Sequence, residues 1–208
     1  MAEEEEIADL IVRKEVEASS PNRPFRTTSA GYPKPSALRV RPTAFISIHV
    51  DNPKPAESMH ITVMLTAFKK EQMDKAKEAL EATAAEFRAA VASGGLTLTF
   101  RNFGVFNRCI LFAEVHEDGE KTKLHRLKEI ASAQFAGREF PLVGDERPFH
   151  PHMSLPPLNK AWKHLEKKPL EFGVQDVKSL RLCAMGLNRE TRDYTTLHEV
   201  SLVLEEEK

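Results

Sequence analysis

The chain has 208 residues with 30 basic and 31 acidic side chains, a formal charge of -1, so no global field draws it onto duplex DNA or an anionic membrane. Its length favours one domain plus a tail over two domains. No apolar run approaches the roughly 18 residues that span a bilayer, and the acidic opening MAEEEE lacks the basic region of a signal peptide. An intracellular monomer, cytoplasmic or nuclear, is expected.

Residues 1–42 differ in composition from the rest of the chain. The charge run Glu3–Glu6 opens a short helix through Val16, with Ile7, Leu10 and Ile11 on one side, and PNRPFRTTSAGYPKPS then predicts an extended or disordered segment. The domain boundary is placed near Pro42, leaving 43–208 as the folded domain. TAFISIHV and MHITVMLTAF read as adjacent strands separated by the turn material DNPKPAES. Between Lys70 and Ala92 the spacing of Met73, Ala76, Leu80, Phe87 and Val91 is helical, with Ser93–Gly95 as its stop. LTLTF (Leu96–Phe100) and CILFAEV (Cys109–Val115) read as strands joined by RNFGVFNR.

The second half repeats this order in outline. A helix from about Glu120 to Phe135 places Leu124, Leu127, Ile130 and Ala131 on one face, and PHMSL follows as a strand. VKSLRLCAMGL and TTLHEVSLVL form the last two strands, a hairpin across NRETRDY. The elements alternate without the regular period of a parallel doubly wound sheet, so the class is α+β with antiparallel sheet. Cys109 and Cys183 lie in apolar strand-like runs and form no CxxC pair, which predicts buried thiols in place of a disulfide or a cysteine zinc site.

Two short stretches carry chemistry. His60-Ile-Thr62 and His152-Met-Ser154 each set a histidine and a hydroxyl residue two apart in a β-type run. Residues i and i+2 of a strand share a face, about 7 Å apart, so each pair can touch one small ligand. Eight histidines give roughly one His-x-Ser/Thr match by chance, but these two fall at equivalent places in the two halves. Imidazoles with an ordinary pKa near 6.5 can hold opposite protonation states around neutrality, one taking a proton from an attacking hydroxyl and the other giving one to a leaving oxygen. Thr62 and Ser154 would then donate hydrogen bonds to non-bridging phosphate oxygens.

These motifs resemble those of the two-histidine (2H) phosphoesterase superfamily. PTAFISIHV, SMHITVMLTAF, LTLTFRNFGVFNRCILFAEV and LVGDERPFHPHMSL are similar, in order and spacing, to the A-kinase-anchoring-protein branch related to bacterial 2',5'-RNA ligase-like proteins. The resemblance covers residues 42–204. It implies a bilobal fold, two antiparallel sheets facing across a central cleft with helices outside. It also implies metal-independent cleavage of 2',5'-linked oligonucleotides or opening of 2',3'-cyclic phosphates, with no cofactor, His60 and His152 catalytic, and Thr62 and Ser154 on the phosphate. The partner expected is a short RNA or oligonucleotide. The stretch before His60 is short for that branch, and kinase anchoring is not carried over.

Other residues are weighed beside these four. Phe106 and Tyr194, on predicted connections, could stack on a base. Arg108, Arg101 and Arg147 could hold a second phosphate, and His150 could contact substrate at the cleft edge. His150, His152 and His60 could instead ligate a metal, though no carboxylate or cysteine accompanies them at useful spacing. Trp162 is given no chemistry. The rival from another class is a binding module that holds nucleotide or RNA ends for a partner recruited through the N-terminal tail.

Overall fold

The computed structural model describes residues 40–50, 59–91, 95–106, 110–116, 118–144, 148–155, 171–188 and 193–203. The expected N-terminal helix, Ser93 and Gly94 of the helix stop, Arg108, Cys109, Arg147 and Trp162 lie outside these residues.

Strands β1 (Ala44–His49) and β2 (His60–Thr66) come first. A 3-10 turn (Lys70–Gln72) leads into helix α1 (Met73–Val91). Next come β3 (Leu96–Phe106), β4 (Ile110–Val115), helix α2 (Gly119–Ala136), and the short strands β5 (Leu142–Val143) and β6 (His152–Ser154). The remaining strands are β7 (Glu171–Val177), β8 (Ser179–Leu187) and β9 (Tyr194–Ser201). Every pairing among the described residues is antiparallel, in the order β7-β3-β4-β6-β2-β1-β8-β9, with β5 also beside β2. The class is α+β, as the alternation predicts.

The two half-sheets are joined edge to edge where β6 meets β2, Met153 opposite Ile61, and the whole curls into a half-barrel. Lys178 alone separates β7, at one end of the sheet, from β8 near the other. That crossing requires the curl, since neighbours in sequence must span the sheet's two ends.

Alternation along each strand sends one set of side chains to the helices. Ile46, Ile48, Ile61, Val63, Leu98, Phe100, Ala113, Met153, Leu180 and Leu182 form a single buried cluster with Leu80, Ala84 and Phe87 of α1 and Leu124, Leu127, Ile130 and Phe135 of α2. Each large side chain in it contributes roughly 1.5–3 kcal/mol by leaving water. Asp118 starts α2, its carboxylate accepting hydrogen bonds from the Glu120 and Lys121 amides at 3.0 and 3.1 Å. Buried Thr66 donates to the Pro141 carbonyl at 3.1 Å, which ties β2 to the segment entering β5. The opposite face of the sheet is left for the site.

Two expectations need correcting. The RNFGVFNR stretch is not a simple connection, because β3 continues to Phe106. Asn102 takes a left-handed φ of 57° at a bulge between Arg101 and Phe103; asparagine tolerates this, so the strand bends and resumes where the sequence reads as a turn. Tyr194 likewise opens β9. Strand β7 escapes the hydrophobic pattern up to its last residue: it is an edge strand whose Phe172 and Val174 are exposed and whose Val177 alone joins the core cluster.

Candidate active site

Opposite Met153 and Ile61 are both buried, at 4% and 0% exposure. The pleat therefore turns His60 and Thr62 of β2, and His152 and Ser154 of β6, to the other face. Extending the antiparallel register by one residue each way sets Thr62 opposite His152 and His60 opposite Ser154. The two histidines occupy diagonal corners of a four-residue patch, a separation of roughly 7–8 Å between backbones. The motifs predict two strands facing across a cleft; the strands are in fact neighbours in one sheet. None of the four residues is buried.

Each imidazole leans on two aromatic rings. His60 lies 5.3 Å from Phe45 and 4.9 Å from Tyr194, ring centre to ring centre, and those two rings meet edge-on at 4.8 Å. His152 lies 4.8 Å from Phe106 and 5.3 Å from Phe112, which stack on each other at 4.1 Å. Such contacts restrict ring rotation and cover the apolar flanks of the imidazole. The Phe112 ring fits because Gly104 faces it across β3 and β4: a Cβ there would stand 2.1 Å from Phe112 Cζ.

His152 Nδ1 lies 2.7 Å from the His150 carbonyl oxygen. A carbonyl only accepts, so Nδ1 carries a hydrogen and Nε2 is the nitrogen left for chemistry. His150 itself stands over Phe112 and Phe106 at 5.8 and 6.2 Å. Its backbone orients His152 while its ring borders the site.

A polar row crosses the sheet through this patch. Arg101 faces Glu114, and Glu114 faces His152. On the other side Ser47 faces Thr62 and, across β8, Arg181, whose Nε is 3.0 Å from Glu199. Burial pushes the Glu199 carboxyl up, but the Ser179 hydroxyl and the Arg181 guanidinium more than offset it and hold the group below its usual range. Burial pushes the Tyr194 phenol up, with Cys183 and Asp193 adding to it. Burial also pushes up the Cys183 thiol, which lies 3.5 Å from the Ser47 hydroxyl. Cys183 is a free, buried thiol as the sequence predicts. Tyr194 thus stays a neutral hydroxyl beside His60.

Of the sequence-predicted contacts, Phe106 and His150 fall beside His152 and Tyr194 beside His60, while Arg101 pairs with Glu171 at 3.5 Å on the outer strand. Thr62, His152, Phe106 and His150 line one cavity of about 320 Å³. Among the described residues no cluster of three histidine, cysteine or carboxylate side chains could hold a metal ion, and no helix is long and apolar enough to cross a membrane. Sequence reasoning misses Phe45, Phe112, Gly104 and Glu114. The strands of Phe45, Phe112 and Glu114 were legible, whereas Gly104 lies in the stretch read as a connection, and which of these residues face the site depends on bulges at Ile46/Ser47 and Arg101/Phe103 that no periodicity marks.

The model of the AKAP7 2'5' RNA ligase-like domain matches residues 46–202. The chain belongs to this family. Both histidine motifs and the nine strands of the described residues lie in or overlap the matched span. No curated protein matches the sequence. Among solved structures, the family member is similar to E. coli LigT complexed with 3'-AMP, at 20% identity and a TM-score of 0.53 over 78% of this chain and 99% of that one. A structure described as a phosphoesterase gives 19% identity and 0.53 over 78% and 99%. TT0787 of Thermus thermophilus gives 18% and 0.50 over 79% and 100%. These three share the fold of this family member.

Proposed function

We propose that the protein is a metal-independent phosphodiesterase of the two-histidine type, cleaving 2',5'-linked oligonucleotides or opening 2',3'-cyclic phosphates at RNA ends. The observation that carries this reading is the four-residue patch on β2 and β6, with imidazoles at one diagonal and hydroxyls at the other. Family membership supports phosphodiesterase-type activity, and the LigT complex with 3'-AMP supports a nucleotide ligand for this fold.

A phosphorus seated over the patch has a histidine on each flank. One imidazole takes the proton of an attacking ribose hydroxyl or water as the new P–O bond forms. The other protonates the departing oxygen as the old P–O bond breaks, and exchange with solvent resets both rings. Thr62 and Ser154 donate to the two non-bridging oxygens, where charge builds in the transition state. His152 acts through Nε2, because Nδ1 is committed to the His150 carbonyl. Phe106 and Tyr194 offer ring faces to the flanking bases or sugars, and His150 borders the substrate. Arg108, which lies outside the described residues, would take a second phosphate. Residues 1–42 are a tail to the 43–208 domain in this reading, and the domain acts as a monomer.

The test is turnover of 2',3'-cyclic nucleotides and 2',5'-oligoadenylate with and without chelator. Equal product in both conditions is expected, and His60→Ala or His152→Ala should each lower the rate by ~10² to 10⁴ without loss of fold. Binding without product would favour a binding module recruited through the tail; activity abolished by chelator would sink the metal-independent mechanism.

A further inference from the structure

A cavity of about 460 Å³ opens on the site face one strand along from His60, and it shares no lining residue with the cavity at His152. Its near wall is His49, which stands directly opposite His60 across β1 and β2, one strand spacing or about 4.8 Å away. Arg181 of β8 lies opposite Ser47 of β1, while Ser179 and Arg181 lie opposite Ser201 and Glu199 of β9. The alternate residues Ile48, Leu180, Leu182 and Val200 are buried in the core cluster. The pleat therefore turns His49, Ser179, Arg181, Glu199 and Ser201 toward the cavity. Asp176 of β7 and Lys178, the one residue between β7 and β8, close it where the sheet curls back.

The two carboxylates of this cavity are already engaged. Asp176 accepts from the Thr97 hydroxyl at 2.7 Å, and Glu199 accepts from the Ser179 hydroxyl and pairs with Arg181 Nε at 3.0 Å. A guanidinium carries five N–H donors, so that pair leaves Arg181 with others to give. Lys178 is exposed, and neither its ammonium nor the His49 ring makes a hydrogen bond or an ion pair among the described residues. An ammonium only donates, and an imidazole offers an N–H in either protonation state. Three nitrogen donors thus converge on one polar cavity beside the phosphate patch. A tetrahedral anion with several acceptor oxygens matches them best.

We infer that this cavity binds an additional phosphate of the substrate, on the His60 side of the phosphorus that reacts, through His49, Lys178 and Arg181. The preferred substrate is then an oligonucleotide or a phosphorylated end, and not a 2',3'-cyclic mononucleotide with a single phosphate. The inference rests on the nucleotide phosphodiester reading above. From the patch on β2 and β6 to the cavity over β1 and β8 is about two strand spacings, roughly 10 Å along the sheet and less across its curl. The long side chains of Lys178 and Arg181 shorten the gap further. One ribose carrying a phosphate at each end can bridge it.

The experiment is equilibrium binding to the full chain of adenosine 2',5'- and 3',5'-bisphosphate against 2'-, 3'- and 5'-AMP, none of which contains a diester to cleave. The better bisphosphate should bind about tenfold tighter than any monophosphate, the worth of one charge-assisted hydrogen bond. Lys178→Met and His49→Gln should each remove most of that gain and leave the monophosphates within about twofold. Lys75→Met, the same loss of charge on α1 outside the cavity, should leave the gain intact. Unfolding temperature checks that His49→Gln still folds, and Lys178→Met is the arm that remains should it not. Bisphosphates no tighter than monophosphates, a gain untouched in both cavity variants, or an equal loss in Lys75→Met would overturn the inference while leaving the phosphodiesterase reading intact. A gain lost only in the cavity variants, in a protein that turns nothing over, would support the subsite and sink only the reaction.

Discussion

Replacing Gly104 by alanine puts a Cβ 2.1 Å from Phe112 Cζ and 2.7 and 2.8 Å from its Cε atoms. The ring must retreat by about 1.3 Å to reach the 3.4 Å of an ordinary contact. It cannot do so freely, because Phe112 is 5% exposed, stacks on Phe106 at 4.1 Å and abuts His152. Alanine for glycine in a strand gains about 0.5–1 kcal/mol of chain entropy. Against this stand about 1–3 kcal/mol of overpacking and about 0.5–1.5 kcal/mol of disturbed ring contacts. The net is a loss of about 1–3 kcal/mol, and at about 2–4 °C per kcal/mol for a domain of this size the Tm should fall visibly. Because His152 loses a flank, kcat/KM should fall by about tenfold or more as its ring drifts. Thermal unfolding and turnover of a 2',5'-linked dinucleotide measure the two effects. Adding Phe112→Leu to Gly104→Ala should recover stability, with a coupling of at least about 0.5 kcal/mol. An unchanged or raised Tm with zero coupling would refute this account of why glycine stands there.

Glu199→Gln tests the electrostatics at the outer end of the polar row. The folded carboxyl lies below its usual 4.5, so its contribution to stability is full above about pH 4.5 and fades as pH falls through the depressed folded value. The Tm gap between wild type and Glu199→Gln should be widest near neutrality and close in acid; a gap that widens in acid would contradict the pairing. The phenolate absorbance removed by Tyr194→Phe should titrate above 10, the ordinary value, since burial raises that phenol. A component at or below 10 would mean that Tyr194 is solvated and not a wall of the His60 site.

The helices and most strands were legible because their apolar residues recur at helical or alternating spacing, as in Leu80 to Phe87 or Leu96 to Phe100. The two histidine motifs were legible for the same reason: Ile61 and Met153 between the polar pairs mark a face buried on one side only. That the motifs share one sheet was not legible, since a three-residue strand such as β6 carries no period from which to find its partners. Phe45 and Phe112 were missed because strand parity alone cannot tell the helix face from the site face past a bulge. Strand β7 was hidden by its exposure. Glu114 is placed by register with β6, a non-local fact that no local pattern encodes.

The account turns on His60 and His152 serving one phosphorus in one step, and single-turnover rates of His60→Ala, His152→Ala and the double variant address that most directly. Groups acting as a unit are strongly non-additive, so the double variant should be about as slow as either single one. A double loss equal to the product of the single losses, or full activity in either single variant, would mean that the two rings do not act together.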